Sequence, residues 1–447
     1  MENVLSLFKS ISNFLWGTPL LVLLLGTGIF MSLRLKGLQL KKLTTSVKFL
    51  FQKNEGDGDI TAFQALATAL AASIGTGNIV GVTTAIAAGG PGALFWMWVT
   101  ALFGMATKYS EAVLAIKYRV KKEDGEVAGG PMYYIERGLG QKWLGVLFAT
   151  FAAIAALGIG NAVQANSIAG ALKQNFNISP MITGIVLAAL TGFVILGGIK
   201  KIGKVTEIMV PFMAGGYILG CVVVLALNIS SIPAAFGLIF KQAFTGTAAV
   251  GGFAGSTIRV ALQKGVSRGI FSNESGLGSA PIAQAAAQTE APAQQGLVAM
   301  LDTFIDTIIV CTFTGLVIIT TGAWQSGLDG AALTTKAFNQ GLPGPGGYIV
   351  AFGILFFAFS TILGWSYYGE KCLEYLTGSW IVKYYRILWV IMAGLGAVIN
   401  LELVWSVSDV MNALMALPNL VGIIGLSGVV VKETKDYWER KKEKEAA

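Results

Sequence analysis

Apolar stretches of about 20 residues recur along the whole chain, and they constrain its fold more than any other feature. At a rise of about 1.5 Å per residue, a helix of this length crosses a hydrocarbon core of about 30 Å. Hydrophobic residues make up 54% of the 447 residues and charged residues 13%, against roughly 25% charged residues in an ordinary soluble domain. The sequence therefore predicts an all-α integral membrane protein.

Eleven membrane spans are predicted from these stretches. They cover residues 12–33, 60–88, 92–117, 142–173, 179–198, 203–228, 255–288, 297–321, 347–373, 383–402 and 408–431. The first span has no small-residue cleavage site before the basic segment that follows it, so it is interpreted as a retained helix and not as a signal peptide. Basic side chains interrupt the apolar pattern between residues 232 and 278, which indicates a re-entrant or surface helix before the seventh span.

Lysine and arginine are concentrated in the connections on one side of these spans. They occur at Arg34, Lys36, Lys41, Lys42, Lys48 and Lys53, at Lys117, Arg119, Lys121, Lys122, Arg137 and Lys142, at Lys200, Lys201 and Lys204, at Lys371, Lys383 and Arg386, and from 432 to 444. Cytoplasmic loops carry such an excess of basic residues. The pattern predicts an N-terminus outside the cell membrane and a cytoplasmic C-terminus, and it explains the net charge of +8 without a nucleic-acid partner.

Without the first span, ten spans remain, and they divide into two sets of five. Because five is odd, two sets with the same internal fold would enter the membrane in opposite directions, as in many secondary transporters. The predicted parts are an additional N-terminal helix with a basic loop (1–59), a first inverted repeat (60–228), an extracellular connecting or re-entrant segment (229–254), a second inverted repeat (255–431) and a basic cytoplasmic tail (432–447). Any ten helices can be divided in this way, so the count alone leaves unrelated halves open.

The first span of each set is interrupted at its middle by small and polar residues. The interruptions are Gly75-Thr76-Gly77-Asn78 in the first set and Ser272-Asn273-Glu274-Ser275-Gly276-Leu277-Gly278 in the second. Each glycine costs about 1 kcal/mol in a helix interior relative to alanine, and Ser and Asn offer competing hydrogen bonds to the backbone. Both stretches therefore favour unwinding. Unwound backbone at membrane depth needs polar partners, which predicts a polar cavity.

Helix ends at such a break attract charged groups. The N-termini of half-helices attract a carboxylate, whereas freed carbonyl oxygens attract cations, and an amino acid with a sodium ion would supply both groups. Alternatively, Gly75 and Gly77 form a small-residue face for a neighbouring helix. Because the two breaks lie at matching positions of the two sets, they favour a binding site over a packing face.

Four stretches of the chain carry a resemblance to a known family. At 75–81, 129–134, 160–164 and 271–281 the sequence resembles the alanine or glycine:cation symporter family. That family shares the five-plus-five inverted-repeat fold of bacterial leucine and neurotransmitter sodium symporters. The resemblance implies eleven transmembrane helices in a leucine-transporter-like fold with two broken helices, and uptake of alanine or glycine driven by a sodium gradient.

The resemblance also implies a sodium site between the first break and the span 347–373. Oxygen ligands suit a hard cation. The implied ligands are the carbonyl oxygens of Ala71, Ile74 and Phe357 and the hydroxyls of Ser360 and Thr361. Alternatively, the two hydroxyls only bond back to their own helix, as hydroxyls in membrane helices commonly do.

The substrate contacts that the resemblance implies lie mainly at the two breaks. Backbone amides of the first break would hold the carboxylate, and backbone carbonyls of the second would receive the ammonium group. The residues concerned are Gly75, Thr76 and Gly77 at the first break and Phe271, Ser272 and Asn273 at the second.

Two polar amides and a tryptophan on other spans are further candidates. Gln164, with Asn161 about one turn before it, either touches the substrate or bridges helices, because amides in a membrane need partners. Trp365 either closes the cavity, beside Phe271, against side chains larger than a methyl group or packs on a neighbouring helix.

Acidic side chains near the membrane centre are functional candidates because burying a carboxylate there is costly. The candidates for a second cation site or for gating are Asn78, Glu274 and Asp306. Asp302 suits gating or a salt bridge. Lys108 and Glu111, three residues apart, are predicted to form an ion pair at a helix end.

Together these features predict a sodium-coupled symporter that imports small neutral amino acids, alanine and glycine, through the lipid membrane. Sodium is the expected coupling ion, and no cofactor is expected. The chain has no histidine, no HExxH and no GxxxxGK[ST], so neither an enzyme nor an ATP-driven pump is indicated. The alternatives are a proton-coupled carrier of the same fold, an ion channel and an amino-acid sensor with a transporter fold.

Overall fold

The computed structural model describes residues 2–52, 56–123 and 125–446, and Lys53 of the first basic loop lies outside them. Within these ranges the chain is mostly helical, with one antiparallel hairpin of β1 (Val120–Lys121) and β2 (Val127–Ala128). The helices are α1 (Glu2–Leu15), α2 (Thr18–Arg34), α3 (Leu38–Lys41), α4 (Leu43–Phe49), α5 (Ala62–Ser73), α6 (Val82–Gly89), α7 (Gly92–Lys117), α8 (Pro131–Leu139), α9 (Lys142–Ala155), α10 (Val163–Phe176), α11 (Pro180–Ile195), α12 (Gly198–Leu227), α13 (Ile232–Thr245), α14 (Ile258–Asn273), α15 (Ala280–Gln284), α16 (Pro292–Thr303), α17 (Thr312–Thr320), α18 (Gly330–Gly341), α19 (Gly346–Thr377), α20 (Ile381–Gly396), α21 (Glu402–Gly425) and α22 (Ser427–Ala446). In the same ranges, π-helical segments lie at Gly77–Gly81, Ala156–Ala162 and Phe304–Cys311, and 3-10 turns lie at Ile229–Ser231 and Ala323–Ser326.

Several of these helices are long and apolar enough to cross a membrane. Among the described residues there are six, namely Asn3–Arg34, Lys142–Phe176, Gly198–Leu227, Pro292–Thr320, Gly346–Thr377 and Glu402–Gly425. The pair Ala62–Ser73 and Gly77–Gly89 is a seventh if it is one span, bent by 52° at its break. The prediction of a helical membrane protein is therefore confirmed. Each of the eleven predicted ranges overlaps a helix, but only six or seven meet this criterion, so the count of eleven stays a prediction.

The end of the chain differs from the prediction. The predicted last span, 408–431, is divided between α21 and α22, and the residues predicted as a basic tail from 432 onward are helical as far as Ala446. Glu433 in α22 lies 2.6 Å from Nζ of Lys117 in α7. The sequence did not predict α22 because the charged side chains of this helix outnumber the apolar side chains that pack inward.

A helix also precedes the seventh predicted span, as the interrupted hydropathy indicated. This is α13, which packs against α7 through Phe240 and Phe244, whose ring centroids lie 5.7 Å and 5.1 Å from that of Phe95. The three phenylalanine residues of α13 are exposed on the outside of the bundle, namely Phe236, Phe240 and Phe244.

Both predicted breaks occur, at slightly different residues. The first separates α5, which ends at Ser73, from the π-helical segment that begins at Gly77. The second begins only after Asn273, so Ser272 and Asn273 are the last residues of α14 and not part of the break. The Asn273 side chain ends this helix because its Oδ1 accepts a hydrogen bond from the amide of Ser275 at 3.0 Å, which replaces a helical bond.

The two breaks meet in the interior of the bundle, where glycine allows a close approach. A Cβ atom at Gly77 would lie 3.2 Å from Cα of Ser272, and one at Gly75 would lie 2.5 Å from Oγ1 of Thr361 in α19. A side chain at either position would separate the elements that surround the site. The first broken helix therefore contacts α14 on one side and α19 on another.

The loop after α7 fastens the far end of the second broken helix. The Arg119 guanidinium donates hydrogen bonds to the carbonyl oxygens of Ala285 and Ala287, at 2.9 Å and 2.7 Å, and to those of Asp57 and Thr289, both at 2.7 Å. Three carbonyl groups that follow α15 and one in the connection between α4 and α5 are thus held by one side chain.

The hairpin of the same loop is tied to the end of α19. Oε2 of Glu126 lies 3.0 Å from Nζ of Lys371 and 3.2 Å from Nζ of Lys122. Partial burial raises the pKa of Glu126, but the two ammonium groups outweigh burial and lower this pKa to about 2. Glu126 therefore stays charged at physiological pH.

Candidate functional site

A small cavity lies where the two broken helices meet. Its volume is about 20 Å³, which is room for about one water molecule. Six of the predicted substrate contacts line it, namely Gly75, Thr76, Gly77, Gln164, Phe271 and Trp365. A free amino acid is larger than this volume.

Asn78 holds the first break in shape. Its Oδ1 accepts a hydrogen bond from the amide of Gly75 at 2.9 Å, and its Nδ2 donates to Oδ1 of Asp306 at 2.6 Å. The Gly75 amide is therefore occupied, and the prediction that it binds a carboxylate does not fit this geometry. The amides of Thr76 and Gly77 stand at the start of the π-helical segment, where the first N–H groups of a helix have no partner within it.

Ser272 and Asn273 turn their side chains away from the cavity. Oγ of Ser272 donates to Oδ1 of Asp306 at 3.2 Å, and Nδ2 of Asn273 donates to Oγ1 of Thr307 at 3.1 Å. These bonds fasten the end of α14 to the segment Phe304–Cys311. The side chains of Ser272 and Asn273 are therefore not placed for contact with a substrate. The last carbonyl groups of α14 do lack donors, because no helical turn follows them.

The residues predicted to bind sodium lie together between α5 and α19. Oγ of Ser360 is 3.4 Å from the carbonyl oxygen of Ile74, and the Ser360 and Thr361 hydroxyls donate to the carbonyl oxygen of Phe357 at 2.8 Å and 3.0 Å. Ala71, in the last turn of α5 before Ile74, is fully buried. The hydroxyls thus bond back to their own helix, as the alternative requires, and their lone pairs are also close to the first break.

Trp365 closes one side of the cavity. Its Nε1 donates to Oε1 of Glu274 at 2.9 Å, and Ser279 donates to Oε2 of the same carboxylate at 2.5 Å. Gly160 lies against the Trp365 side chain so closely that a Cβ atom at position 160 would collide with it. Trp365 therefore packs on a neighbouring helix and lines the cavity, and the two interpretations of this residue are compatible.

The two amides on the fourth predicted span have different surroundings. Nδ2 of Asn161 donates to the carbonyl oxygen of Trp389 in α20 at 2.9 Å, so Asn161 bridges helices. Nε2 of Gln164 donates to the carbonyl oxygen of Ile159 at 3.0 Å, and Gln164 lines the cavity. Asn161 is thus a bridge between helices, and contact of Gln164 with a substrate stays a prediction.

Lys108 and Glu111 do not pair with each other, so that prediction is wrong. Nζ of Lys108 lies 2.7 Å from Oδ2 of Asp302, and both side chains are buried, with 1% and 0% exposed. Oδ1 of Asp302 accepts from Ser73, at the end of α5, at 2.6 Å. Oε1 of Glu111 accepts from the amide of Gly278 in the second break at 3.2 Å. Each of these buried side chains has its close partner on another element of the fold, as burial of a charge requires.

The candidates for a second cation site or for gating lie in two separate clusters. One contains Asn78 and Asp306, and the other contains Glu274. The Asp306 carboxylate accepts from Asn78 and Ser272 and from Thr307 at 2.7 Å. Glu274 instead lines the cavity beside Trp365. Asp306 therefore links the first break to the end of α14 through hydrogen bonds.

Five residues that line the cavity were not predicted as site residues, namely Ala72, Ser73, Ile159, Leu277 and Asn412. Asn412 carries a signal that could have found it, because a buried amide in an apolar span is unusual. Ala72 and Ile159 carry no such signal, since an apolar residue in an apolar helix has no distinguishing feature, whereas Leu277 lies within the stretch predicted as the second break.

Buried breaks in two membrane helices around one polar cavity define the class of secondary transporters. The model of the sodium:alanine symporter family matches residues 1–447. The sodium/alanine symporter AgcS of Methanococcus maripaludis is 56% identical over 98% of this chain and 98% of its own. An uncharacterized transporter of Haemophilus influenzae is 54% identical over 98% of this chain and 97% of its own.

A solved structure gives the same fold. A Na⁺-coupled sialic acid symporter covers 86% of this chain and 82% of its own, with a TM-score of 0.53 at 13% identity. This likeness gives the chain a leucine-transporter-like fold. The chain belongs to the sodium:alanine symporter family, and it is a sodium-coupled symporter rather than an enzyme. The proton-coupled alternative is not favoured.

Proposed function

We propose that this protein imports alanine and glycine across the cell membrane, each together with sodium, through the cavity between the two breaks. The observation that carries the proposal is the position of this cavity. It touches the start of a half-helix at Thr76 and Gly77, and it shares Thr361 with the group of oxygen atoms beside Ile74. One site thus adjoins an amide-rich end for a carboxylate and an oxygen-rich end for a cation.

The architecture that we propose around this site has eleven transmembrane helices. The first would be the additional N-terminal helix, and the other ten would form the inverted repeats 60–228 and 255–431, joined by 229–254. The support is that each repeat begins with a broken helix, α5–α6 in one and α14–α15 in the other. The N-terminus would lie outside and the C-terminus in the cytoplasm, and the basic residues of the loops on one side support this orientation.

The amides of Thr76 and Gly77 would bind the substrate carboxylate. Partial positive charge collects at the N-terminus of a helix, which favours an anion there. The Gly75 amide is left out of this role because Asn78 already accepts its hydrogen bond. The carbonyl oxygens of Phe271 and Ser272, at the end of α14, would stand on the opposite side for the ammonium group.

The coupling ion would lie between α5 and α19. Its ligands would be the carbonyl oxygens of Ala71, Ile74 and Phe357 and the hydroxyl oxygens of Ser360 and Thr361. An ion held by both helices stabilises the arrangement in which they lie close together, and that arrangement also shapes the cavity at Thr361. Sodium would thereby favour the substrate-binding state, which is thermodynamic coupling of the two sites.

Trp365→Ala should widen the range of substrates. The indole ring forms one wall of a cavity of about 20 Å³, and its removal leaves room for side chains larger than a methyl group. We expect serine, threonine and valine to compete with radiolabelled alanine at concentrations at least about tenfold lower than in the wild type, because one methylene in an apolar pocket is worth roughly 1–3 kcal/mol. Trp389→Phe, outside the cavity, serves as the control, and unaltered selectivity in Trp365→Ala would remove the ring from the pocket.

The proposed function is tested by uptake of radiolabelled alanine into proteoliposomes at equal pH on both sides. We expect accumulation with an inward sodium gradient, and none when choline replaces sodium. A pH gradient without sodium should drive no accumulation. Sodium-independent uptake driven by pH would overturn the proposal, and ionic current without saturable uptake would indicate a channel.

A further inference from the structure

Asn412 is a buried polar residue at the cavity for which the proposed carboxylate and sodium contacts give no role. It lies in α21, lines the cavity and is 1% exposed. Its Oδ1 atom has no hydrogen-bond donor among the residues that the structure describes. A buried carbonyl-type oxygen almost always has a donor in a folded protein, so this atom is suited to a donor that a ligand brings.

Gln164 faces the same cavity from α10 with a second oxygen of this kind. It is 3% exposed, and its Oε1 also lacks a donor among the described residues. The orientation of this amide is fixed, because its Nε2 donates to the carbonyl oxygen of Ile159 at 3.0 Å. An amide turned over would place its oxygen against that carbonyl oxygen. Oε1 of Gln164 is therefore an acceptor whose partner must come from outside these helices.

The N-terminal segment of the chain contacts α21 close to Asn412. Asp409, about one helical turn before it, accepts a hydrogen bond from Ser12, and the carbonyl oxygen of Asp409 accepts from Nε1 of Trp16 at 3.1 Å. Trp16 also packs edge-on against Phe271, with ring centroids 6.5 Å apart. The N-terminal segment thus contacts Asp409 on α21 and Phe271 on α14, and Phe271 lines the cavity.

We propose that Oδ1 of Asn412 and Oε1 of Gln164 accept hydrogen bonds from the ammonium group of the transported amino acid. This inference rests on the proposed function, and it adds α21 to the elements that recognise the substrate. An ammonium group carries three donors and no acceptor, and two acceptor-only oxygens at one cavity match it. The third donor is left for a carbonyl oxygen at the end of α14. A carboxylate could not use these two atoms, because it has no hydrogen to donate.

The test compares two replacements of Asn412 in uptake of radiolabelled alanine by proteoliposomes. Asn412→Asp keeps an oxygen acceptor of the same size, whereas Asn412→Leu keeps the size and removes the acceptor. We expect Asn412→Leu to raise the half-saturating alanine concentration by about tenfold to a hundredfold, the usual loss of a hydrogen bond to a charged group. We expect Asn412→Asp to stay within about threefold of the wild type.

Two further measurements separate recognition from folding. Asn166→Ala removes a hydrogen-bonding amide on α10 that does not line the cavity, and it should leave the half-saturating alanine concentration unchanged. Thermal unfolding in detergent identifies a misfolded variant, and Asn412→Ala replaces Asn412→Leu if the latter does not fold. Equal alanine affinity in Asn412→Leu and the wild type would overturn the inference, and so would an equal loss in Asn412→Asp and Asn412→Leu, because Asn412 would then act as a donor or as packing. In both cases sodium-driven uptake of alanine by the wild type would leave the proposed function standing.

Discussion

Asp302→Ala should lower the free energy of unfolding by about 3–5 kcal/mol and abolish sodium-driven uptake, because it leaves the Lys108 ammonium group buried without its partner. The same carboxylate accepts the hydrogen bond from Ser73 at the end of α5. The substitution therefore removes a contact at the first break as well as an ion pair. Thermal unfolding of the purified protein and uptake in proteoliposomes measure the two effects.

A double replacement tests the electrostatic cause of this loss. Lys108→Met with Asp302→Leu exchanges the two charges for apolar side chains of similar volume, and such exchanges of buried pairs are often neutral for stability. We expect the double variant to regain most of the lost stability but not the uptake, because Ser73 still lacks its acceptor. If the double variant is no more stable than Asp302→Ala, the cost does not arise from an unpaired buried charge.

Ser360→Ala with Thr361→Ala should raise the sodium concentration for half-maximal uptake by about tenfold to a hundredfold. The substitutions remove the Ser360 hydroxyl beside the Ile74 carbonyl group and the Thr361 hydroxyl beside Gly75, and losing an interaction with a charged group typically costs about 1.5–3 kcal/mol. Uptake at saturating sodium should be reduced much less. The measurement is initial alanine uptake as a function of external sodium at constant ionic strength.

A matched serine on the same helix provides the control for this prediction. Ser366 is buried in α19 and donates to the carbonyl oxygen of Leu363 at 2.6 Å, so Ser366→Ala removes a hydroxyl that bonds back to its own helix and lies outside the proposed ligand group. We expect its sodium dependence to match the wild type. If Ser360→Ala with Thr361→Ala also leaves sodium dependence unchanged, the two hydroxyls only bond back to Phe357.

Features that follow from composition along the chain were predictable from the sequence. Long apolar stretches require helices in a membrane, and Gly75 and Gly77 mark a break because unwinding is cheap there. The meeting of the two breaks around one cavity followed from the resemblance of both stretches to one family. Gln164 and Trp365, predicted on separate spans, line that cavity as well.

Features that depend on partners distant in sequence were less predictable. Lys108 and Glu111 are three residues apart, which suggested a pair, but the partner of Lys108 is Asp302. The Gly75 amide was assigned to the substrate because the sequence does not reveal that Asn78 folds back onto it. Asn412 was missed since its meaning depends on the packing of α21 against the cavity. In each case, the partner of the side chain depends on which helices pack together, and the sequence does not show this packing.

The most direct test of sodium-coupled symport is reciprocal flux in proteoliposomes. With equal sodium on both sides, equal pH and the membrane potential clamped at zero, an inward alanine gradient should drive uphill accumulation of radioactive sodium, and proteoliposomes without alanine should show none. This follows because coupling between two sites on one carrier acts in both directions. An alanine gradient that moves alanine inward without any accumulation of sodium would contradict the account.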